Sequence, residues 1–155
     1  KSKYEANVAS VAGKMDNRVI AAYQQLGFKL VVDPSVNYSG YFDARSRSIT
    51  MKQIDDSVYH ELGHFLAFIA GNADKTASFQ SIFAAEKANV TAFNKAYVTQ
   101  NASEYFAESV KDYILNNASL KSSRPQTYAA VQNALNQITD AQIAKIQKIY
   151  GAFWN

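Results

Sequence analysis

Val58-Tyr59-His60-Glu61-Leu62-Gly63-His64-Phe65 decides how the rest of the chain is read. It contains His-Glu-x-x-His, and its two histidines are the only ones in the chain. Val58, Leu62, Phe65 and Ile69 recur at helical spacing, with Ala67 and Phe68 filling in, which predicts a helix with one face in a core. Residues four apart share a helix face, so His60 and His64 can present two imidazole nitrogens to one metal ion. Glu61 falls beside that position, where a carboxylate can take a proton from water. Asp55-Asp56-Ser57 supplies N-cap candidates just ahead of the helix.

A catalytic zinc site needs a third protein ligand and keeps one position open. The chain has no cysteine and no further histidine, so that ligand must be a carboxylate. The metzincin extension fails, because Ala67 and Ala70 stand where its glycine and histidine belong. Downstream, Glu86, Glu104, Glu108 and Asp112 are the candidates. Glu104 and Glu108 lie four apart on a helix predicted over Ala102 to Asn116, otherwise apolar through Tyr105, Phe106, Val110, Tyr113 and Ile114. Two like charges on one helix face cost roughly 0.2–0.5 kcal/mol when exposed and more when buried. A cation offsets that cost. Spacing alone does not say which of the pair ligates; the other would hold a ligand histidine by its free N–H.

Around this helix the chain reads as a small α+β protein. Tyr4 to Leu26 is predicted as one amphipathic helix through Val8, Val11, Met15, Val19, Tyr23 and Leu26, weakened at Gly13 and ended by Gly27. Phe28 to Val32 is a short strand stopped by Asp33-Pro34. Tyr41-Phe42 and Arg47 to Lys52 form a hairpin around Asp43-Ala44-Arg45-Ser46. Gly71-Asn72 ends the histidine helix, and Asp74 is a candidate cap for the next, which carries Phe79, Ile82 and Phe83. Residues 88–101 are less regular. Pro125 opens a helix with Tyr128, Val131 and Leu135, and Thr139 or Asp140 caps a last one with Ile143, Ile146, Ile149 and Tyr150 inward. Helix, small mostly antiparallel sheet, then helices describe an α+β, mainly helical single domain over residues 1–155; the Ser119–Ser123 stretch is too short to be a linker.

Bulk properties narrow the function classes. The chain has 155 residues, 48% of them hydrophobic, enough for one core. No apolar run approaches the ~20 residues of a membrane span. The net charge of +3 comes from scattered lysines and arginines, so neither a nucleic-acid partner nor a membrane is expected. The lack of cysteine removes disulfides and thiolate catalysis. The chain starts at Lys1 rather than Met, compatible with a trimmed form whose export signal has been removed.

The segment Tyr97-Val98-Thr99-Gln100-Asn101-Ala102-Ser103-Glu104-Tyr105-Phe106-Ala107-Glu108-Ser109 resembles the anthrax lethal factor-like metallopeptidases, most closely the secreted Pro-Pro endopeptidases of Gram-positive bacteria. In that family a Tyr precedes a Glu by seven residues, and the Glu opens a Glu-aromatic-Phe-Ala-Glu run; Tyr97 and Glu104 have that separation. Lys121 to Tyr128 is similar to the family's Pro-x-Thr-aromatic helix start. The resemblance implies a zincin-like fold and Zn2+ held by His60, His64 and Glu104. It implies Glu61 as general base, Tyr97 as the phenol at the oxyanion, and Glu108 supporting a ligand histidine. It also implies a secreted bacterial endopeptidase, expected to be a monomer, acting on a peptide or protein with prolines at the cut. Two departures stand out: Ser103 replaces a second acidic residue before the ligand Glu, and the segment ahead of the metal helix lacks a Trp-containing, Gly-rich insertion.

Substrate in such peptidases lies extended along an edge strand. Ser39-Gly40-Tyr41-Phe42 is the expected rim, with Gly40 admitting a substrate backbone and Tyr38 and Tyr41 packing on proline rings. Alternatives are a lethal factor-like peptidase of different specificity, or a binding domain that has lost catalysis. The intact Glu61 separates the second from an enzyme, because binding alone needs no base there.

Overall fold

The computed structural model describes residues 2–154. Its sheet has four strands, β1 (Tyr4–Ala6), β2 (Lys29–Val32), β3 (Gly40–Asp43) and β4 (Ser48–Met51), in the order β1-β2-β4-β3. The outer pairings, β1 with β2 and β3 with β4, are antiparallel, and the central β2–β4 pair is parallel. The sheet is therefore mixed but mostly antiparallel, as expected. Helices flank it in sequence: α1 (Val8–Val11) and α2 (Asn17–Gln25) early, then α3 (Ser57–Ile69), α4 (Ala77–Glu86), α5 (Lys95–Val98), α6 (Ala102–Leu115), α7 (Asn117–Ser123), α8 (Pro125–Asn136) and α9 (Asp140–Trp154). The fold class is α+β. Among the described residues no helix is long and apolar enough to cross a membrane.

Side-chain alternation builds the core. Leu30, Ile49 and Phe42 share one row across the sheet, and Val32, Met51 and Gly40 share the next. Leu30, Val32, Ile49 and Met51 are buried, and this face meets α3, whose Val58, Leu62, Phe65, Leu66 and Ile69 are buried in turn. Burying each such side chain contributes roughly 1.5–3 kcal/mol, so the histidine helix is fixed by its apolar face, not by helix propensity. On its far side α3 packs on α6. A Cβ at Gly63 would lie 2.6 Å from the Ala107 carbonyl oxygen and 2.8 Å from Ala107 Cα. Only glycine lets the two helices approach this closely.

Several expectations are corrected. The single helix from Tyr4 to Leu26 is a strand, a short helix and a second helix, because Asn7 caps α1 and Asp16 caps α2 through their side chains. Its apolar period survives, since Val8, Met15, Val19, Tyr23 and Leu26 are buried all the same. Asp74 does not cap α4; Thr76 does, accepting from Phe79 N–H at 3.1 Å. Ser119–Ser123 belongs to α7, whose hydroxyl Ser123 donates to the Ser119 carbonyl. Ile149 is half exposed, not inward. Gly27 follows α2 with φ +78°, Gly71 follows α3 with φ +77°, Pro125 opens α8 and Thr139 accepts from Gln142 N–H at 3.1 Å, as the sequence predicts.

The turn of the hairpin that presents β3 is held twice. Asp43 accepts from Arg45 N–H at 3.0 Å and from the Ser46 hydroxyl at 2.9 Å, closing the turn. Trp154, at the end of α9, donates its indole N–H to the Ala44 carbonyl at 3.0 Å.

Candidate metal centre and active site

α3 and α6 bring together the residues that the sequence had left 40 or more positions apart. His60 and His64 project from α3. Glu104 occupies the first turn of α6, where Asn101 caps the helix by accepting from Glu104 N–H at 2.8 Å. A Glu at this place commonly reaches back to the cap; here it turns to the histidines. Its Oε1 lies 2.8 Å from His60 Nε2 and 3.3 Å from His64 Nε2. One turn on, Glu108 Oε1 lies 2.8 Å from His60 Nδ1. Ala107, between the two glutamates, is the residue that Gly63 touches, so the glycine inside the histidine motif sets the spacing of all four side chains.

This donor set fits a metal. Ligand atoms of His60, His64 and Glu104 all lie within 4.8 Å of one another. The Glu108 carboxylate can only accept, so His60 Nδ1 carries a proton and donates it. In a neutral ring Nε2 then faces Glu104 with a lone pair, acceptor against acceptor. A proton shared between them resolves that conflict, and so does a metal. A tetrahedral zinc with bonds of about 2.0–2.1 Å separates its ligands by about 3.3 Å, close to the His64–Glu104 distance. In the metal-free state the proton takes the place. Burial works against the charged imidazole, but the Glu104 and Glu108 carboxylates prevail and push His60 up to about 9. The histidines hold the Glu104 carboxyl far below its usual range.

Glu61 and Tyr97 flank this cluster. Burial pushes the Glu61 carboxyl up, against the pull of His60 and His64. Tyr97 comes from α5 and is 54% exposed; its ring centroid is 6.4 Å from that of His60. Burial and the Glu104 and Glu61 charges push its phenol up, so it stays a proton donor. A cavity of about 340 Å³ lies on one side, walled by Phe42, His64, Asp74 and Glu104, and one of about 370 Å³ on the other, walled by Ser39, His60 and Glu108. Gly40, Glu61 and Tyr97 line both, so the groove runs past the cluster in two directions.

The expected rim lies along this groove. β3 has β4 on one side and no strand on the other among the described residues. The Ser39 carbonyl accepts from Lys52 N–H at 3.1 Å, so by ladder alternation Tyr41 and Asp43 also bond β4, while Gly40 and Phe42 turn their N–H and C=O groups away from it, the Phe42 N–H towards the Glu61 carboxylate. Phe42 and Gly40 face α3, Phe42 stacking on His64 with centroids 6.4 Å apart. Tyr41 alternates to the other face beside Tyr38, centroids 5.8 Å apart, both exposed. A Cβ at Gly40 would meet Glu61 Cγ at 2.8 Å, so the room that the glycine leaves on this side is taken by Glu61.

The remaining candidate carboxylates are engaged elsewhere. Glu86 is buried at the start of α8, accepting from Gln126 and Thr127 N–H, and Asp112 pairs with Arg124 at 2.6 Å. Sequence reasoning missed Asp74, which is buried in the wall of the groove, accepting from the Ser103 hydroxyl at 2.8 Å. An acid thus stands next to Ser103, supplied from another element. The missed signal was Gly63: a glycine inside a strong helix marks a close approach.

A stretch of 78 residues is 41% identical to the Pro-Pro endopeptidase of Clostridioides difficile (strain 630), covering 48% of this chain and 34% of that protein, so the match spans about a third of the relative. Residues 36–134 match the family described as anthrax toxin lethal factor, N- and C-terminal domain, and this span contains every residue of the cluster and of the β3 edge. The chain belongs to the anthrax toxin lethal factor family.

Proposed function

We propose that the protein is a zinc-dependent endopeptidase, secreted by a bacterium, that acts as a single-domain monomer on extended, proline-rich segments. The observation that carries this reading is the cluster itself: His60, His64 and Glu104 converging with Glu61 and Tyr97 on a groove beside an open strand edge. His60, His64 and Glu104 would hold the ion, and Glu108 orients His60 by accepting its Nδ1 proton. Bound zinc supplies Lewis-acid polarisation of a carbonyl and lowers the pKa of water towards ~7.

The other steps belong to the chain. Glu61 takes a proton from the attacking water and returns it to the leaving amine. Burial favours the protonated carboxyl it becomes in between. The Tyr97 hydroxyl donates to the oxygen on which charge develops. The outward N–H and C=O of Gly40 and the C=O of Phe42 hold the peptide as an added strand. A proline-rich segment is already extended and loses little entropy on docking.

Metal analysis of the purified protein, with peptide cleavage mapped by mass spectrometry, tests the reading. The expected result is one zinc per chain, lost in Glu104→Ala, and faster cutting of a peptide with prolines about the scissile bond than of its alanine analogue. A zinc content near zero that added zinc cannot raise would sink the metallopeptidase. Equal cutting of both peptides would remove the proline preference alone.

A further inference from the structure

Gly40 has no conformational reason to be glycine. It lies within β3 and is not among the positive-φ glycines, so its backbone suits any residue. Space is the reason. A Cβ at this position would stand 2.8 Å from Glu61 Cγ, 3.1 Å from Glu61 Oε2 and 3.1 Å from Met51 Sδ. Two of these three contacts belong to one side chain, the carboxylate next to the cluster. They are also the mobile partners: the backbone of β3 is fixed by β4, whereas Glu61 can turn about its own bonds.

We infer that Gly40 is a positioning residue for Glu61. The missing side chain leaves a slot in which the carboxylate is gripped between the open strand and α3. The inference rests on the proposed peptidase reading for its kinetic consequence only. An alanine fills the slot, and the cheapest relief is for Glu61 to swing aside. Its carboxylate then leaves the water it must deprotonate. The strand edge keeps its outward N–H and C=O groups, and the metal donors on α3 and α6 are not touched. Displacing a catalytic group by ~1 Å costs on the order of 10²-fold in rate.

Two measurements test this. In the first, Gly40→Ala is compared with wild type at equal zinc content. The expected result is a fall in kcat of about 10²-fold with KM within about twofold. A raised KM with kcat unchanged would overturn the inference and return the glycine to the substrate backbone. The second needs no activity: melting temperatures of wild type, Gly40→Ala, Glu61→Ala and the double variant. The expected result is that Gly40→Ala lowers Tm in the wild-type background and by less than half as much in the Glu61→Ala background, where Cγ and the carboxylate are gone and only the Met51 sulfur remains close. The same shift in both backgrounds would overturn it, since the clash would then lie elsewhere. If wild type cuts no peptide, the peptidase reading fails, and the Tm cycle still decides whether Gly40 holds Glu61.

Discussion

The two walls of the groove are built differently. On one side, α3 is a thirteen-residue helix with ten residues buried, locked between the sheet and α6. It carries His60, His64 and Glu61. On the other, α5 is a four-residue helix with one buried residue, Val98, and it carries Tyr97 half exposed to solvent. The edge strand is intermediate, bonded on one side and open on the other. Under the proposed peptidase reading the difference is a division of labour. Groups that must hold a fixed mutual geometry sit on the packed element; groups that meet the substrate sit where the local free energy of opening is low. Mutations on the two walls should therefore fail in different ways.

The sharpest contrast is between Glu61→Gln and Tyr97→Phe. Glu61→Gln keeps the shape of a buried side chain and removes the base. Turnover should fall by about 10²–10⁴-fold, with zinc retained. Tyr97→Phe removes one hydroxyl from an exposed ring. Loss of an oxyanion donor typically costs about 10²–10³-fold, here in kcat with KM, zinc content and melting temperature nearly unchanged. Steady-state kinetics beside metal analysis checks both. Unaltered kcat in Tyr97→Phe would make the tyrosine a surface residue, and loss of zinc in Glu61→Gln would make Glu61 part of the metal's support.

The packed wall was the legible one. Periodicity in the sequence gives α3 and α6 because each buries one continuous stripe, and the histidine spacing and paired glutamates follow from the same period. What joins the stripes is long-range, and no local pattern reports it: spacing leaves Glu104 and Glu108 equivalent, and only the resemblance separates them. The structure places Glu104 against the Nε2 atoms of both histidines and Glu108 against His60 Nδ1, while Glu86 caps α8 and Asp112 pairs with Arg124. The N-terminal error has a similar cause. Val8 to Leu26 keeps a helical period across a real break, because the core demands buried residues there whether or not the helix continues. The Asn7 and Asp16 caps were readable signals outweighed by that period.

Metal-free protein offers a pH test of the packed wall. His60 is raised to about 9 from an ordinary 6.5, so its contribution to stability is whole below 6.5 and is lost as pH rises through about 9. Glu104 is lowered, so its contribution is present above its ordinary 4.5 and lost as pH falls below that. The melting temperature of the metal-free protein should peak between 4.5 and 6.5 and decline towards 9. Zinc should remove the alkaline decline by replacing the proton on His60. A flat alkaline limb without metal would mean that His60 is not charged there.

The smallest expected effect comes from the contact that joins the two helices. Gly63→Ala places a methyl 2.6 Å from the Ala107 carbonyl oxygen. That atom is backbone and cannot swing aside, so α3 and α6 must move apart. Overpacking of this kind costs about 1–3 kcal/mol, and the gain of about 1 kcal/mol from replacing a mid-helix glycine offsets part of it. The net loss of stability is therefore modest, within about 2 kcal/mol. Metal affinity should suffer as well, because His60 and His64 ride on one helix and Glu104 and Glu108 on the other. Widening their separation should cost affinity at the low end of the ~10–100-fold seen when a ligand's support is altered. Chelator competition and thermal melting measured together decide it. A variant that loses stability but binds zinc as wild type does would show that the close approach serves the core alone, and that the four side chains find their geometry without it.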